Sequence, residues 1–233
     1  MALIPIDSNW YDAHATFYGD MHGDETMQGA YSYGDLFQQG YGLETTALST
    51  ALFHGGYTCG ACFEIKCVND PQWCKKDVRS ITVTTTNFCP PNYSKPDGNW
   101  CNPPQKHFDL SMKMFTTIAI YEAGIIPVQY RRVPCVKSGG VRFELRRNLY
   151  FLMVLVYNVA NAGYVFRVSI KESNTNWAPM THNWGQFWDI GINLVGEGLS
   201  FWVTTSDGKA LKFDSIVPFN WQFGQTYEGS INF

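Results

Sequence analysis

Apolar residues in this chain recur mostly at every second position. In "RSITVTTTNF", residues 79 to 88, Ile81 and Val83 alternate with polar residues, the pattern of a half-buried strand. Val141, Phe143 and Leu145 alternate in the same way. "LSFWVTTSDGKALKF", from Leu199 onward, sets Asp207-Gly208 between two alternating runs, which predicts a hairpin. The longest apolar run, "LYFLMVLVYNVA" from Leu149 to Ala160, is interrupted by Asn158 and falls short of the roughly 20 residues of a membrane span, so it reads as a buried strand. Helical spacing occurs twice. "TTALSTALFHGG" predicts a short helix over 45–56, capped by Thr45 or Thr46, with Leu48 and Leu52 on one face and Gly55 ending it. "SMKMFTTIAIYEAG" predicts a second, with Met112, Phe115 and Ile118/Ala119 in register and Gly124 as the stop. The stretch "TFYGDMHGDETMQGAYSYGDLFQQGYG" reads as loops joining short strands, its glycines permitting backbone conformations closed to other residues. A strand-rich first part with two short helices is thus followed, over 141–233, by several short strands without a helix, as in a small β-sandwich.

Composition narrows this picture. The 233 residues are 45% hydrophobic and 16% aromatic with only 16% charged, an ordered chain long enough for two domains. A net charge of -3 gives no broad basic field, and Arg131-Arg132 and Arg146-Arg147 are too short to supply one, so nucleic acid is not an expected partner. All 7 cysteines lie between Cys59 and Cys135, so one half is stapled and the other is not. That asymmetry, with "VKSGG" at 136–140 as linker, places a domain boundary there. Cys59-Gly-Ala-Cys62 with Cys67 lacks the second Cys or His pair of a structural zinc site, so disulfides and export are expected, with one thiol left over from the odd count. "MALIPIDSNW" carries no basic residue and too short an apolar core for a signal peptide, so a signal has been removed or lies outside the sequence.

Longer motifs carry a specific resemblance. "ATFYGD", "QGYGLETTALSTALF", "CGACFEIKC", "TNFCPPN", "NWCNPP", "HFDLSMKMF", "YRRVPC", "NWGQFW" and "LSFWVTTSDG" occur in an order and spacing that resembles the plant α-expansins, from Ala15 to near the end. The resemblance implies a mainly β protein: a six-stranded double-psi β-barrel, stapled by disulfides and related to family 45 cellulases, over 10–137, then an immunoglobulin-like β-sandwich that binds polysaccharide over 141–233. It implies a secreted, monomeric cell-wall protein, without cofactor or metal, that loosens contacts between cellulose and xyloglucan-type matrix glycans without cutting them.

Carried over by motif, Asp109 of "HFDL" matches the barrel aspartate required for expansin activity and the general acid of the related cellulases. Its neighbours Phe108 and Leu110 suggest an apolar setting, which would raise a carboxyl pKa and suit a proton donor at acidic pH. Thr16 and Tyr18 match groove residues facing that acid, with Phe17 placed to pack on sugar, while His107 is expected to be structural. Where the family pattern has glycine after "TFYG", this chain has Asp20, in register with the cellulases' catalytic base. An inverting hydrolase with Asp109 as acid and Asp20 as base is therefore a rival, needing the carboxyls about 6.5 to 9.5 Å apart. A second rival is a binding or defence module like the barwin-type barrels.

The family's "GACGYG" reads "GAYSYG" here, with Tyr31 at a cysteine position and Ser32 at a glycine. The resemblance then pairs Cys62 with Cys135, Cys67 with Cys74 and Cys89 with Cys101, leaving Cys59 as a thiol. The lost bridge is expected to cost about 2 to 5 kcal/mol. Flat exposed rings for a glucan surface are expected from Trp184 and Trp188 of "NWGQFW", with Trp177 and Tyr157 as further candidates and Asn158 at a family platform position. Phe201, Trp202 and Trp221 read as core residues or are left open. Asn92-Tyr93-Ser94 is an N-glycosylation triplet on a surface loop.

Overall fold

The computed structural model describes residues 5–24, 29–31, 33–95, 97–148, 150–173 and 175–233. The chain divides into two compact units, Met1–Val133 and Pro134–Phe233. In the first, the strands are β1 (Tyr11–Tyr18), β2 (Thr45–Leu48), β3 (Cys62–Cys67), β4 (Ile81–Phe88), β5 (His107–Ser111) and β6 (Ile126–Val133). Two short helices, α1 (Thr50–Phe53) and α2 (Met112–Ile118), lie between them. The strands close into a barrel in the order β1-β5-β2-β4-β3-β6. β1 runs parallel to β5 and β2 to β4, while the other neighbours are antiparallel.

A barrel strand sends alternate side chains to opposite faces. Phe108 of β5, Phe63 of β3 and Tyr130 of β6 are all buried, and their ring centroids lie 4.9 to 5.8 Å apart. Phe108 and Leu110 on one face of β5 leave His107 and Asp109 on the other, which fixes the side on which any site must form.

The helix expected over 45–56 is a correction. Thr45–Leu48 is a strand, buried at every position and paired on both sides, and only Thr50–Phe53 is helical. A β-branched pair inside a four-residue segment buried on both faces satisfies its backbone in the sheet, so Leu48 and Leu52 share no helix face. The glycine- and tyrosine-rich stretch is also simpler than expected: it opens within β1, and among the described residues no further strand appears before β2. The second helix forms as the spacing predicts. Ser111 caps it through Met114 N–H, but it ends at Ile118, with Ala119 already extended, so Gly124, at φ 66°, closes a separate 3-10 turn at Tyr121–Ala123 and not the helix.

In the second unit the strands are β7 (Arg142–Asn148), β8 (Phe151–Tyr157), β9 (Val165–Glu172), β10 (Ala178–Pro179), β11 (Thr181–His182), β12 (Phe187–Ile190), β13 (Leu199–Thr205), β14 (Ala210–Val217) and β15 (Thr226–Glu228). They form a four-stranded sheet, β10-β9-β13-β14, and a five-stranded sheet, β11-β12-β8-β7-β15. Phe143, Val154, Val168, Phe201, Val203 and Trp221 belong to one buried core, with Phe143 and Phe201 stacked at 4.5 Å. The Asp207-Gly208 hairpin forms, with Gly208 at φ 84° and Asp207 accepting from the Thr205 hydroxyl at 2.6 Å. The glycines of "VKSGG" are tied into this unit: Asn158 Nδ2 donates to the carbonyls of Ser138 and Gly140, both at 2.8 Å. Division of the chain therefore falls a few residues earlier, at Val133.

Cys67 pairs with Cys74 and Cys89 with Cys101, and Cys62 and Cys135 are disulfide-bonded as well. Cys59 is in no disulfide and is buried. Tyr31 is completely buried too, with its ring 5.5 Å from Phe53 and 6.3 Å from Tyr33. Its phenol lies close enough to the Cys59 thiol for each to influence the other, without a hydrogen bond of good geometry. Burial pushes both groups well above their ordinary pKa values. Space near the Cys59 thiol is thus filled by an aromatic ring. Ser32 lies outside the described residues.

Candidate functional site

β5 lies between β1 and β2, and the register sets Asp109 opposite Thr16 on one side and Ala47 on the other. The Thr16 hydroxyl donates to Asp109 Oδ1 at 2.7 Å and stands 2.8 Å from His107 Nε2. A hydroxyl has one proton to give. With that proton on Asp109, His107 supplies the other, so its N–H sits on Nε2. Nδ1 is then a buried acceptor without a partner. Behind the carboxyl, the Thr46 hydroxyl donates to the Asp109 carbonyl at 3.0 Å and fixes the strand.

Asp109 is half-buried, so one side of the carboxyl remains reachable. Desolvation raises its pKa above the ordinary carboxylate value and the Thr16 hydrogen bond partly opposes this, with no cation in the balance. The direction matches the expectation from sequence, but the cause does not. Phe108 and Leu110 point to the opposite face of β5, so the desolvating surroundings are the groups of β1 and β2 on Asp109's own side. Since Thr16 occupies Oδ1, the proton of the neutral acid belongs on Oδ2.

His107 is 1% exposed and its pKa is pushed down to about 4, mainly by burial and secondly by the nearby His14. The unfolded chain takes up this proton near pH 6.5 and the folded chain only near pH 4, so in that window the unfolded state binds more protons. Stability therefore falls as pH drops from 6.5 to 4, by on the order of 3 kcal/mol from this group. Urea unfolding at both pH values should show that loss in the wild type and a much flatter dependence in His107→Gln.

Tyr18 lies on the Thr16 face of β1, half-buried, with its phenol pushed up by burial and by the Asp109 charge. Its hydroxyl stands among the Thr45, Thr86 and Asn87 side chains, near enough to feel them yet without a well-formed hydrogen bond. The Thr45 and Thr86 hydroxyls are buried without partners as well. Sequence reasoning missed these three residues; the polar run "TTTN" at the end of a strand was the available signal for Thr86 and Asn87, and Thr45, in β2, had none.

Phe17 is a correction. It points to the other face of β1, 4.7 Å from Phe115 and 4.9 Å from Tyr121, because strand side chains alternate, and it does not join Thr16 and Tyr18. Asp20 lies beyond the end of β1, where its Oδ1 accepts the backbone N–H groups of His22, at 2.7 Å, and Gly23. That carboxylate is engaged in holding its own turn. Asn92 is exposed, its Oδ1 accepting from Ser94 N–H.

In the second unit Trp184 is 40% exposed, while Trp188 and Tyr157 are each only 3% exposed. A ring must present a face to stack on a sugar, so Trp188 and Tyr157 are corrected to structural residues. Trp188 belongs to the sandwich core, and Tyr157 lies under the Arg142 guanidinium, 6.0 Å from its ring centroid. Asn158 is buried and held by the linker carbonyls, which removes it as a contact. The most exposed aromatics, Tyr150 in the β7–β8 turn and Phe219 after β14, were not singled out from the sequence. Among the described residues no helix is long and apolar enough to cross a membrane, and no group of three His, Cys, Asp or Glu could hold a metal ion.

Residues 45–130 match the lytic transglycolase family and residues 141–218 match the expansin C-terminal domain. The chain is 62% identical over 228 residues to Expansin-A23 of Arabidopsis thaliana, covering 98% of this chain and 82% of that protein. It is 49% identical over 237 residues to Expansin-A13 of Oryza sativa subsp. japonica, covering 100% and 89%. Among solved structures, the apo expansin of Clavibacter michiganensis aligns with a TM-score of 0.71 at 20% identity, over 96% of this chain and 98% of that one. A point variant of the same bacterial protein, in complex with cellohexaose, gives a TM-score of 0.72 at 19% identity with the same coverage.

Proposed function

The chain belongs to the expansin family, and on that basis we propose that it loosens plant cell walls, binding cellulose with xyloglucan-type matrix glycans and slipping their noncovalent contacts at acidic pH. The observation that carries this reading is Asp109: a reachable carboxyl on the outer face of the barrel, desolvated, and oriented by Thr16 at 2.7 Å. In its neutral form Oδ2 donates a hydrogen bond, or a proton, to a glycan oxygen and competes with the bond that oxygen makes to a neighbouring polymer. Thr16 sets which oxygen carries the proton, and Tyr18 borders the same face. The cellohexaose complex of the bacterial relative supports a β-1,4-glucan chain as ligand. Trp184, with its exposed ring, is the residue of the second unit assigned to glucan stacking.

The action we propose is nonhydrolytic. An inverting glycosidase needs a second carboxylate positioned to activate water. Asp20, which resemblance offered for that role, holds the backbone of its own turn instead. Disulfides in a small domain suit an oxidising compartment, which supports secretion to the wall. The test is acid-induced extension of heat-killed plant walls with reducing-sugar release measured on the same samples. Extension without sugar release is expected. Sugar release that disappears in Asp109→Asn would overturn the nonhydrolytic reading, and binding without extension would leave only an adhesion module.

A further inference from the structure

The sheet β10-β9-β13-β14 presents an outer face whose chemistry differs from that of a cellulose platform. Trp202 of β13 is 38% exposed and sits opposite Lys212 of β14 and Ser169 of β9. Trp177 precedes β10, whose Ala178 pairs with Ile170 of β9. The two indoles meet edge to face, 5.8 Å apart at 65°. Lys212 Nζ lies 4.7 Å from the Trp202 ring centroid and 6.0 Å from that of Trp177, and Lys171 Nζ lies 5.1 Å from Trp177. Arg167 is exposed opposite Thr204 on the same face.

Neutral glucans stack on coplanar rings with open faces. Here the rings are crossed and their faces are occupied by ammonium groups, so a flat, uncharged sugar ribbon gains little. Indole faces attract cations and hold them in place. The three cations meanwhile have no carboxylate within ion-pair distance: the pairs among the described residues are Arg131–Glu64, Arg142–Glu228, Arg146–Glu144 and Lys209–Asp207. The acids nearest in sequence are Asp214, exposed two residues from Lys212 on β14, and Glu172, half-buried beside Lys171 on β9, which leaves three cations against two carboxylates. A face with positioned cations and an excess of positive charge, on a chain whose net charge is -3, calls for an anion from outside.

We infer that this outer face binds an acidic polysaccharide of the polyuronate class, whose ring carboxylates pair with Lys171, Lys212 and Arg167 while the Trp177 and Trp202 rings hold the two lysines in position. Neighbouring strands lie about 4.8 Å apart and each strand rises about 3.3 Å per residue, so the cations span several sugar units and not a single one. The site is built from the second unit alone and does not depend on the wall-loosening reading.

The experiment is calorimetric titration of the full chain, in a chelating buffer, with polygalacturonate and with its fully methyl-esterified form. Binding to the acidic polymer is expected to be at least about tenfold tighter than to the ester, and to weaken severalfold as salt rises from about 50 to 300 mM. Lys171→Gln with Lys212→Gln should lose that preference while melting like the wild type, and Trp202→Ala should weaken it. Asp109→Asn should bind as the wild type does, which separates this site from the barrel. Equal affinity for the esterified polymer, an unchanged affinity in the double lysine variant, or tighter binding of a single-stranded oligodeoxynucleotide than of polygalacturonate would overturn the inference.

Discussion

Asp109→Asn should cut acid-induced wall extension by about 100-fold or more, because the amide still donates a hydrogen bond from the Oδ2 position but cannot give up a proton, and a positioned proton donor is worth about 10²–10⁴-fold. The amide keeps an oxygen for Thr16 at the Oδ1 position, so the orientation of the side chain survives and only the acidic proton is lost. Stability moves the other way. Because folding raises the Asp109 pKa, its contribution is fully present below the unfolded pKa and is lost as pH rises through the folded one. The asparagine variant should therefore match the wild type at low pH and be equally or more stable near neutrality. Extension assays and urea unfolding on the same preparations separate loss of function from loss of fold.

Tyr31→Ala should destabilise the protein by about 3–5 kcal/mol, the usual cost of emptying a fully buried aromatic site. The ring packs on Phe53 and Tyr33 and its phenol reaches Cys59, at the position where resemblance places a disulfide cysteine. Cys59→Ala, which removes a smaller and undistorted side chain, should cost about 1 kcal/mol. Tyr31→Cys combines both effects. In the thiol form it suffers the cavity, and closure of a bond to Cys59 should restore about 2–4 kcal/mol. Urea unfolding under oxidising and reducing conditions, with the wild type alongside to account for the other disulfides, reads that difference. Far from being a bare loss of a staple, the substitution at 31 replaces a covalent link by packing. A Tyr31→Ala variant as stable as the wild type would contradict this.

Strands with a clean two-residue period were legible in the sequence: β4, β7, and the β13–β14 hairpin follow directly from Ile81 and Val83, from Val141, Phe143 and Leu145, and from Asp207-Gly208. β2 was not. Its "TTAL" precedes a true helical turn, and only pairing with β4 and β5, both distant in sequence, decides between strand and helix. The same non-locality hid the core of the site. Thr16 meets Asp109 across 93 positions, so the shared hydroxyl linking His107 to the acid is a product of barrel register that no local pattern encodes. Resemblance supplied Asp109, Thr16 and Tyr18, while the two-residue alternation of β1 and β5 excludes Phe17 from their face, and Phe108 and Leu110 from the carboxyl's surroundings. In the sandwich, tryptophans at 184 and 188 look alike in sequence, and four positions of chain decide that one is exposed and the other buried.

The most direct measurement is a carboxyl-carbon NMR titration of Asp109 in the full chain, followed across the pH range over which wall extension rises. A midpoint above the ordinary carboxylate value of about 3.9, tracking the onset of extension, is the predicted result. A midpoint at or below that value, or full extension at a pH where the group is already ionised, would show that the neutral acid is not what loosens the wall.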